Sequence, residues 1–171
     1  GAMKYALLAL SLVASMAFAH DGRVYVSGAI TNNTCTLSPD SQNMTVAMGE
    51  VSSRQFIYPG EAGPWQPFAI DLQNCGSTAS GVTVSFSGAA DAKQHDCLAL
   101  TPDAGEATGV AIALYDSEKN ALPLGEASAP LPLTGGQSSA HLQFYARYIA
   151  NGDAVTPGTA NASATFVLNY E

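Results

Sequence analysis

Alternation of apolar and polar residues constrains this chain more than any other feature, and it recurs in seven short runs. "RVYVSGAI" places Val24, Val26, Gly28 and Ile30 on one face, and "MTVAMG" does so with Met44, Val46 and Met48. "PFAIDLQN" groups Phe68, Ile70 and Leu72; "GVTVSFSG" groups Val82, Val84 and Phe86; "VAIALYD" groups Val110, Ile112 and Leu114. "HLQFYARY" aligns Leu142, Phe144, Ala146 and Tyr148, and "ATFVLNYE" sets Phe166, Leu168 and Tyr170 against Thr165, Val167 and Asn169. A period of two sends every second side chain to the same side of an extended backbone, so each run reads as a strand with one buried face. Helix signals are weak beyond residue 19.

Between the runs lie clusters of Gly, Pro, Asn, Asp and Ser: "SPDSQN", "YPGEAGP", "SGAADAKQ", "TPDAGEATG", "DSEKN", "TGGQSS" and "NGDAVTPGT". Each of these residues favours turns for a backbone reason. Seven short strands separated by turns predict an all-β sandwich of immunoglobulin-like type. Residues 121–133, "ALPLGEASAPLPL", are interrupted by proline and predict an edge strand plus loop. Only one residue follows Tyr170, so the last apolar strand has no later segment to cover it. Exposed apolar edges invite pairing with another chain.

Residues 1–19 stand apart. Gly1 and Ala2 precede the first plausible initiator, Met3, and read as a cloning scar. Lys4, an apolar run and the small-residue pattern Ala17-Phe18-Ala19 follow in the order of a secretory signal peptide. The run is shorter than the roughly 20 apolar residues a membrane span needs. Cleavage after Ala19 would leave one domain, exported and soluble. With 6 Lys+Arg against 14 Asp+Glu, the net charge is −8, and a basic nucleic-acid footprint is absent. Export implies an oxidising compartment, so two of Cys35, Cys75 and Cys97 are expected to pair; the residues alone allow three choices.

Chemistry is thinly represented. "FSGAAD" is no nucleophile elbow, and His20, His95 and His141 are scattered, so no catalytic residue is assigned. His95 and Cys97 lie near Asp91 and Asp96, but zinc wants more ligands at a recognisable spacing, so neither a metal nor a cofactor is expected. "TGGQSS" lacks the lysine and helix of a phosphate loop. The sequons at Asn32, Asn43 and Asn161 carry no assigned role. Tyr58 and Trp65 flank "PGEAGP" and either pack beneath that loop or form a small aromatic surface for a sugar.

Taken in order, "RVYVSGAITNNTC", "MTVAMGEVSS", "PFAIDLQNC", "VSFSGAAD" and "ASATFVLNYE" resemble the pilins of the chaperone–usher pathway, of the type 1 fimbrial subunit family. Cys35 follows Gly28 by seven residues, Gly158 is the fourteenth residue from the end, and Tyr170 is penultimate, as in that family. The resemblance implies an incomplete immunoglobulin-like sandwich lacking its last strand and completed by a donor strand. It divides the chain into the scar and signal peptide (1–19), an N-terminal donor-strand extension (20–34) and a pilin domain (35–171). Val24, Val26, Gly28 and Ile30 would form the donor strand, and Gly158, Phe166, Leu168 and Tyr170 the edge that accepts one. Cys35 and Cys75 would form the disulfide, leaving Cys97 as a departure from the family pattern. The apolar residues 6–18 are a rival occupant of the groove if the signal peptide is retained.

The function so implied is that of a structural subunit of a cell-surface fimbrium, exported through the periplasm, supporting adhesion and catalysing no reaction. Its implied partners are a periplasmic pilus chaperone, an outer-membrane usher and neighbouring fimbrial subunits. Only 15 residues separate His20 from Cys35, so the extension is short, and a minor or adaptor subunit fits as well as a rod subunit. The alternative is a single-domain tip or surface module recognising a host glycan or protein through Tyr58 and Trp65.

Overall fold

The structure is a computed structural model that describes residues 21–30, 34–50 and 60–170. Along the chain run β1 (Asp21–Ile30), β2 (Thr36–Leu37), a one-turn helix α1 (Pro39–Gln42), β3 (Asn43–Glu50), β4 (Gln66–Gln73) and β5 (Gly81–Ser87). They continue with β6 (Val110–Tyr115), β7 (Leu131–Pro132), β8 (Ser139–Ala150) and β9 (Ala162–Tyr170). Seven of these nine strands coincide with the alternating runs. The short strand β7 falls where an edge strand was predicted, whereas β2 and α1 fall outside the strands expected from alternation. Residues 1–20, which contain the signal-peptide assignment and the rival groove segment 6–18, lie outside the described residues, as does Tyr58.

Two sheets pack face to face. One has the order β3-β1-β9-β5-β7 and the other β2-β4-β8-β6. Neighbouring strands run antiparallel everywhere except at β1 and β9, which run parallel. Alternation explains the core: Phe68, Ile70 and Leu72 of β4 face Val82, Val84 and Phe86 of β5, and all are buried. Four phenylalanines clasp the sheets together. Phe68 stacks on Phe144 at 5.5 Å between ring centroids, and Phe86 meets Phe144 edge-on at 5.4 Å and Phe166 at 6.3 Å. Such pairs add about 0.5–1.5 kcal/mol each beyond their buried area.

The edges are closed by local devices. Segment 125–132 runs beside β5, where Ser128 accepts a backbone bond from Val84 through its hydroxyl at 3.0 Å, and its own amide donates to the Val84 carbonyl at 2.8 Å. β6, although an edge strand, is buried on both faces: Val110, Ile112 and Leu114 join the main core, while Ala111, Ala113 and Tyr115 pack with Cys97, Trp65 and Tyr145. In α1, Pro39 stands in the first turn, and the buried Ser41 hydroxyl accepts the Asp71 amide at 2.8 Å, pinning the helix to β4.

Candidate functional site

The notable arrangement is the groove between β3 and β9, and the strand that fills it is β1 of the same chain. β1 pairs antiparallel with β3, Val24 opposite Val46 and Val26 opposite Met44, with a register irregularity at Gly22/Arg23. On its other flank it pairs parallel with β9, in the register Val24–Ala162, Val26–Ala164, Gly28–Phe166 and Ile30–Leu168. Size is matched over most of this flank: Val24 and Val26 stand opposite alanines, and Gly28 stands opposite the phenylalanine. A Cβ on Gly28 would lie 2.5 Å from three ring carbons of Phe166, so any larger residue there displaces the ring or the strand. Gly22 plays the same part at the other end of β1, where a Cβ would collide with the Tyr148 hydroxyl and the Ala160 carbonyl.

Val24 and Val26 are 0% and 1% exposed, Ile30 is partly buried against the core, and Phe166 and Leu168 are fully covered. Burying Val24 and Val26 contributes roughly 1.5–3 kcal/mol each. Pairing with β3 stops at Ser27, opposite Asn43, because the chain turns there into α1. Gly28, Ala29 and Ile30 therefore pair with β9 alone, beside a cavity of ≈ 660 Å³ that Leu37, Gln42 and Phe166 also line.

The structure brings together Val24, Val26, Gly28, Ile30, Phe166 and Leu168, and places two residues of the expected edge differently. Gly158 precedes β9 and packs instead against the backbone of residues 105–107, where Thr159 donates to the Gly105 carbonyl at 2.9 Å. Tyr170 lies beyond the end of β1, opposite Val82. Its hydroxyl is buried and finds no hydrogen-bond partner among the described residues, and burial pushes its pKa up. The Cys35 backbone opposes that shift without reaching hydrogen-bonding geometry. Sequence reasoning passed over Ala162 and Ala164, which lie beside Val24 and Val26 on the neighbouring strand. Their signal was present, since they extend the alternation of Phe166 and Leu168 backwards.

Cys35 and Cys75 form a disulfide across 40 residues, joining the segment after β1 to the end of β4. Closing such a loop contributes about 4 kcal/mol in the chain-entropy view. Cys97 is a free, buried thiol, 6% exposed, packed with Ala111, Ala113 and Tyr115. Burial first, then the Asp96 and Asp91 carboxylates, push its pKa up to about 11, so it is an inert core thiol. The neighbouring polar residues are engaged in the turn: Asp91 accepts the amides of Lys93 and Gln94 at 3.0 and 2.9 Å, and His95 bonds the Ala92 carbonyl at 2.8 Å. His141 pairs with Asp71 at 2.6 Å on the outer face of the four-stranded sheet. Trp65 is partly buried, with the Arg147 guanidinium 3.8 Å from its ring centroid, so that stacking surface is already occupied.

An immunoglobulin-like sandwich with a strand-filled groove in one sheet defines the class: a pilus-subunit fold. The family model described as "Fimbrial protein" matches residues 24–171. The chain is 42% identical over 154 residues to an uncharacterised fimbrial-like protein, YcbV, of Escherichia coli K12, covering 90% of this chain and 88% of that protein. It is 38% identical over 171 residues to the probable major fimbrial subunit LpfA of Escherichia coli O157:H7, covering 98% and 95%. A solved structure, an antigen and type I fimbria protein of Burkholderia pseudomallei, superposes with a TM-score of 0.63 at 34% identity, covering 90% of this chain and all of that one. The chain belongs to the fimbrial protein family. It is a structural subunit of a chaperone–usher fimbria, exported through the periplasm to the cell surface, where such subunits assemble with their neighbours.

Proposed function

We propose that this subunit polymerises by exchanging β1: the strand leaves its own groove and enters the groove of a neighbouring subunit, while a strand from another subunit takes its place beside β9. The carrying observation is the size-matched register of Val24, Val26 and Gly28 against Ala162, Ala164 and Phe166. That fit belongs to the side chains and not to their covalent connection, so the same strand offered by another copy would bury the same apolar area. Cys35 lies five residues after Ile30 and is held to Cys75, so β1 can withdraw while β2 and the four-stranded sheet stay in place. In this reading residues 20–34 are the donor extension and 35–171 the acceptor domain. A periplasmic chaperone guards the open groove before assembly, an outer-membrane usher oversees the exchange, and no reaction is catalysed. The fibre supports adhesion through its neighbours.

The test uses the glycine. A chain carrying Gly28→Leu expels its own strand and, refolded with a wild-type peptide spanning residues 23–33, should capture that peptide in a complex that survives SDS without boiling. The same peptide carrying Gly28→Leu should not be captured. A variant chain that stays closed, or that takes both peptides equally, would end the strand-exchange reading.

A further inference from the structure

The outer face of the five-stranded sheet carries small uncharged side chains set in ranks. Asn43 of β3 stands opposite Ser27 of β1, Ser27 opposite Thr165 of β9, and Thr165 opposite Ser87 of β5. The Ser87 and Thr165 hydroxyls bond each other at 2.8 Å, while the side chains of Ser27 and Asn43 make no hydrogen bond among the described residues. In the next rank Tyr25 stands between Thr45 and Ser163 and is 46% exposed, so its ring is offered to solvent.

A loop closes one side of these ranks. After β5 the chain passes so close to β9 that a Cβ on Gly88 would lie 2.8 Å from the Ser163 carbonyl. The two legs of the loop are tied by the Ala99 amide, which donates to the Ala89 carbonyl at 2.8 Å. The returning leg is tied to the start of β9 by the Thr101 amide, which donates to the Asn161 carbonyl at 2.6 Å. Leu100 and Pro102 on that leg border, together with both ranks, a cavity of ≈ 500 Å³, and none of the residues lining it is charged. The volume falls within the range of about 300–1,000 Å³ usual for a small-ligand site.

The chemistry of this lining selects its ligand. With neither a cation nor a carboxylate, it has nothing to pair with a charged group. The backbones of β1 and β9 are laddered on both flanks, so a peptide cannot add a strand here, and only side chains can reach a ligand. Hydroxyls and an amide beside an exposed aromatic ring suit a molecule with polar edges and an apolar face. Their rank repeats at the strand spacing of about 4.8 Å, close to the advance per unit of an extended hexose chain. We propose that this face binds an extended neutral saccharide. Asn43, Ser27, Thr165 and Ser87 bond successive sugar hydroxyls, and Tyr25 stacks on one ring. β1 supplies Tyr25 and Ser27, so the site exists while that strand fills the groove and needs no exchange between subunits.

The test is calorimetry on the closed subunit with tetrasaccharides of glucose, mannose or galactose, and with tetrasaccharides of a uronic acid as charged controls. At least one neutral tetrasaccharide should bind, about tenfold more tightly than its own monosaccharide and than the charged controls. Tyr25→Thr keeps a β-branched residue on the strand and removes the ring, and it should weaken binding about tenfold. Thr165→Val keeps the shape and removes one hydroxyl, and it should weaken binding roughly threefold to tenfold. Both positions are exposed and face outward, so the two variants keep the fold. No binding of any neutral tetrasaccharide, charged controls that bind as tightly, or affinity unchanged in both variants would overturn the proposal. The closed chain gives this readout without any peptide capture, so the saccharide site and strand exchange stand or fall separately.

Discussion

The two sheets are assembled under different rules. In the four-stranded sheet every neighbour is antiparallel, and the twelve-residue β8 pairs along its length with β4 and β6. Its central strands β4 and β8 cannot leave without dismantling the core they share through Phe68 and Phe144. In the five-stranded sheet, β1 is set between β3 and β9, parallel to β9, and precedes the disulfide-anchored Cys35. Its Val24 and Val26 are as well buried as any core residue, yet only the groove side chains and two flanking ladders hold the strand. Under the exchange proposed above, burial and permanence separate: a strand whose apolar residues are buried is still the replaceable part of the fold.

The sharpest way to break this contrast is to damage each sheet in turn. Phe144→Ala removes the ring that touches Phe68 and Phe86 and should cost about 3–5 kcal/mol. Urea unfolding should show one cooperative transition moved to lower denaturant, and a split transition would show that the sheets are less interdependent than their shared core implies. The double change Val24→Ala and Val26→Ala should cost less, roughly 2–4 kcal/mol. Its signature is local: limited proteolysis should cut within 21–34 while the fragment from Cys35 onward stays resistant. Cleavage spread across both sheets would mean that β1 belongs to the permanent core.

A smaller effect is expected at the end of the groove. The Tyr170 hydroxyl is buried and unpartnered among the described residues, so Tyr170→Phe should leave stability unchanged or raise it by up to about 1 kcal/mol. A loss of melting temperature in that variant would show that the hydroxyl has an unrecognised partner. The smallest effect is electrostatic and confined to the four-stranded sheet. The Asp71 hydrogen bond first, then that of Gln143, raises the pKa of His141 above its ordinary 6.5. The folded state therefore holds that proton more tightly than the unfolded chain. The resulting stability is fully present below pH 6.5 and is lost as pH rises through the raised value. Wild type should thus exceed His141→Asn by a larger melting-temperature margin at pH 5.5 than at pH 8.5; equal margins would remove the pair from the stability account.

Much of the fold was legible because period-two patterning is a local property. Val24, Phe68, Val84, Phe144 and Leu168 each announce an inward face through their neighbours two residues away. The edge segment 121–133 was legible through its prolines. Other features were not. Ser41 reads as part of a turn cluster, and only its contact with the Asp71 amide shows why α1 forms there. Cys97 lies in a stretch that reads as a loop, where burial and exposure were both open, and its burial depends on Ala111, Ala113 and Tyr115 of β6. Trp65 left a sugar platform open beside packing under its loop, because the guanidinium that covers it arrives from Arg147 on β8.

By itself the sequence determined the seven longer strands, which of their faces are apolar, and that an apolar edge at Phe166, Leu168 and Tyr170 must be covered. It did so because alternation and turn chemistry act between residues a few positions apart. Only the tertiary structure decided which strand covers that edge and in which direction it runs. Ladder pairing joins β1 to β9 across most of the chain's length, and alternation reads the same for either orientation and for a strand from either chain. In this structure the strand is β1 of the same chain, running parallel to β9, with Gly28 set over Phe166 where no side chain would fit.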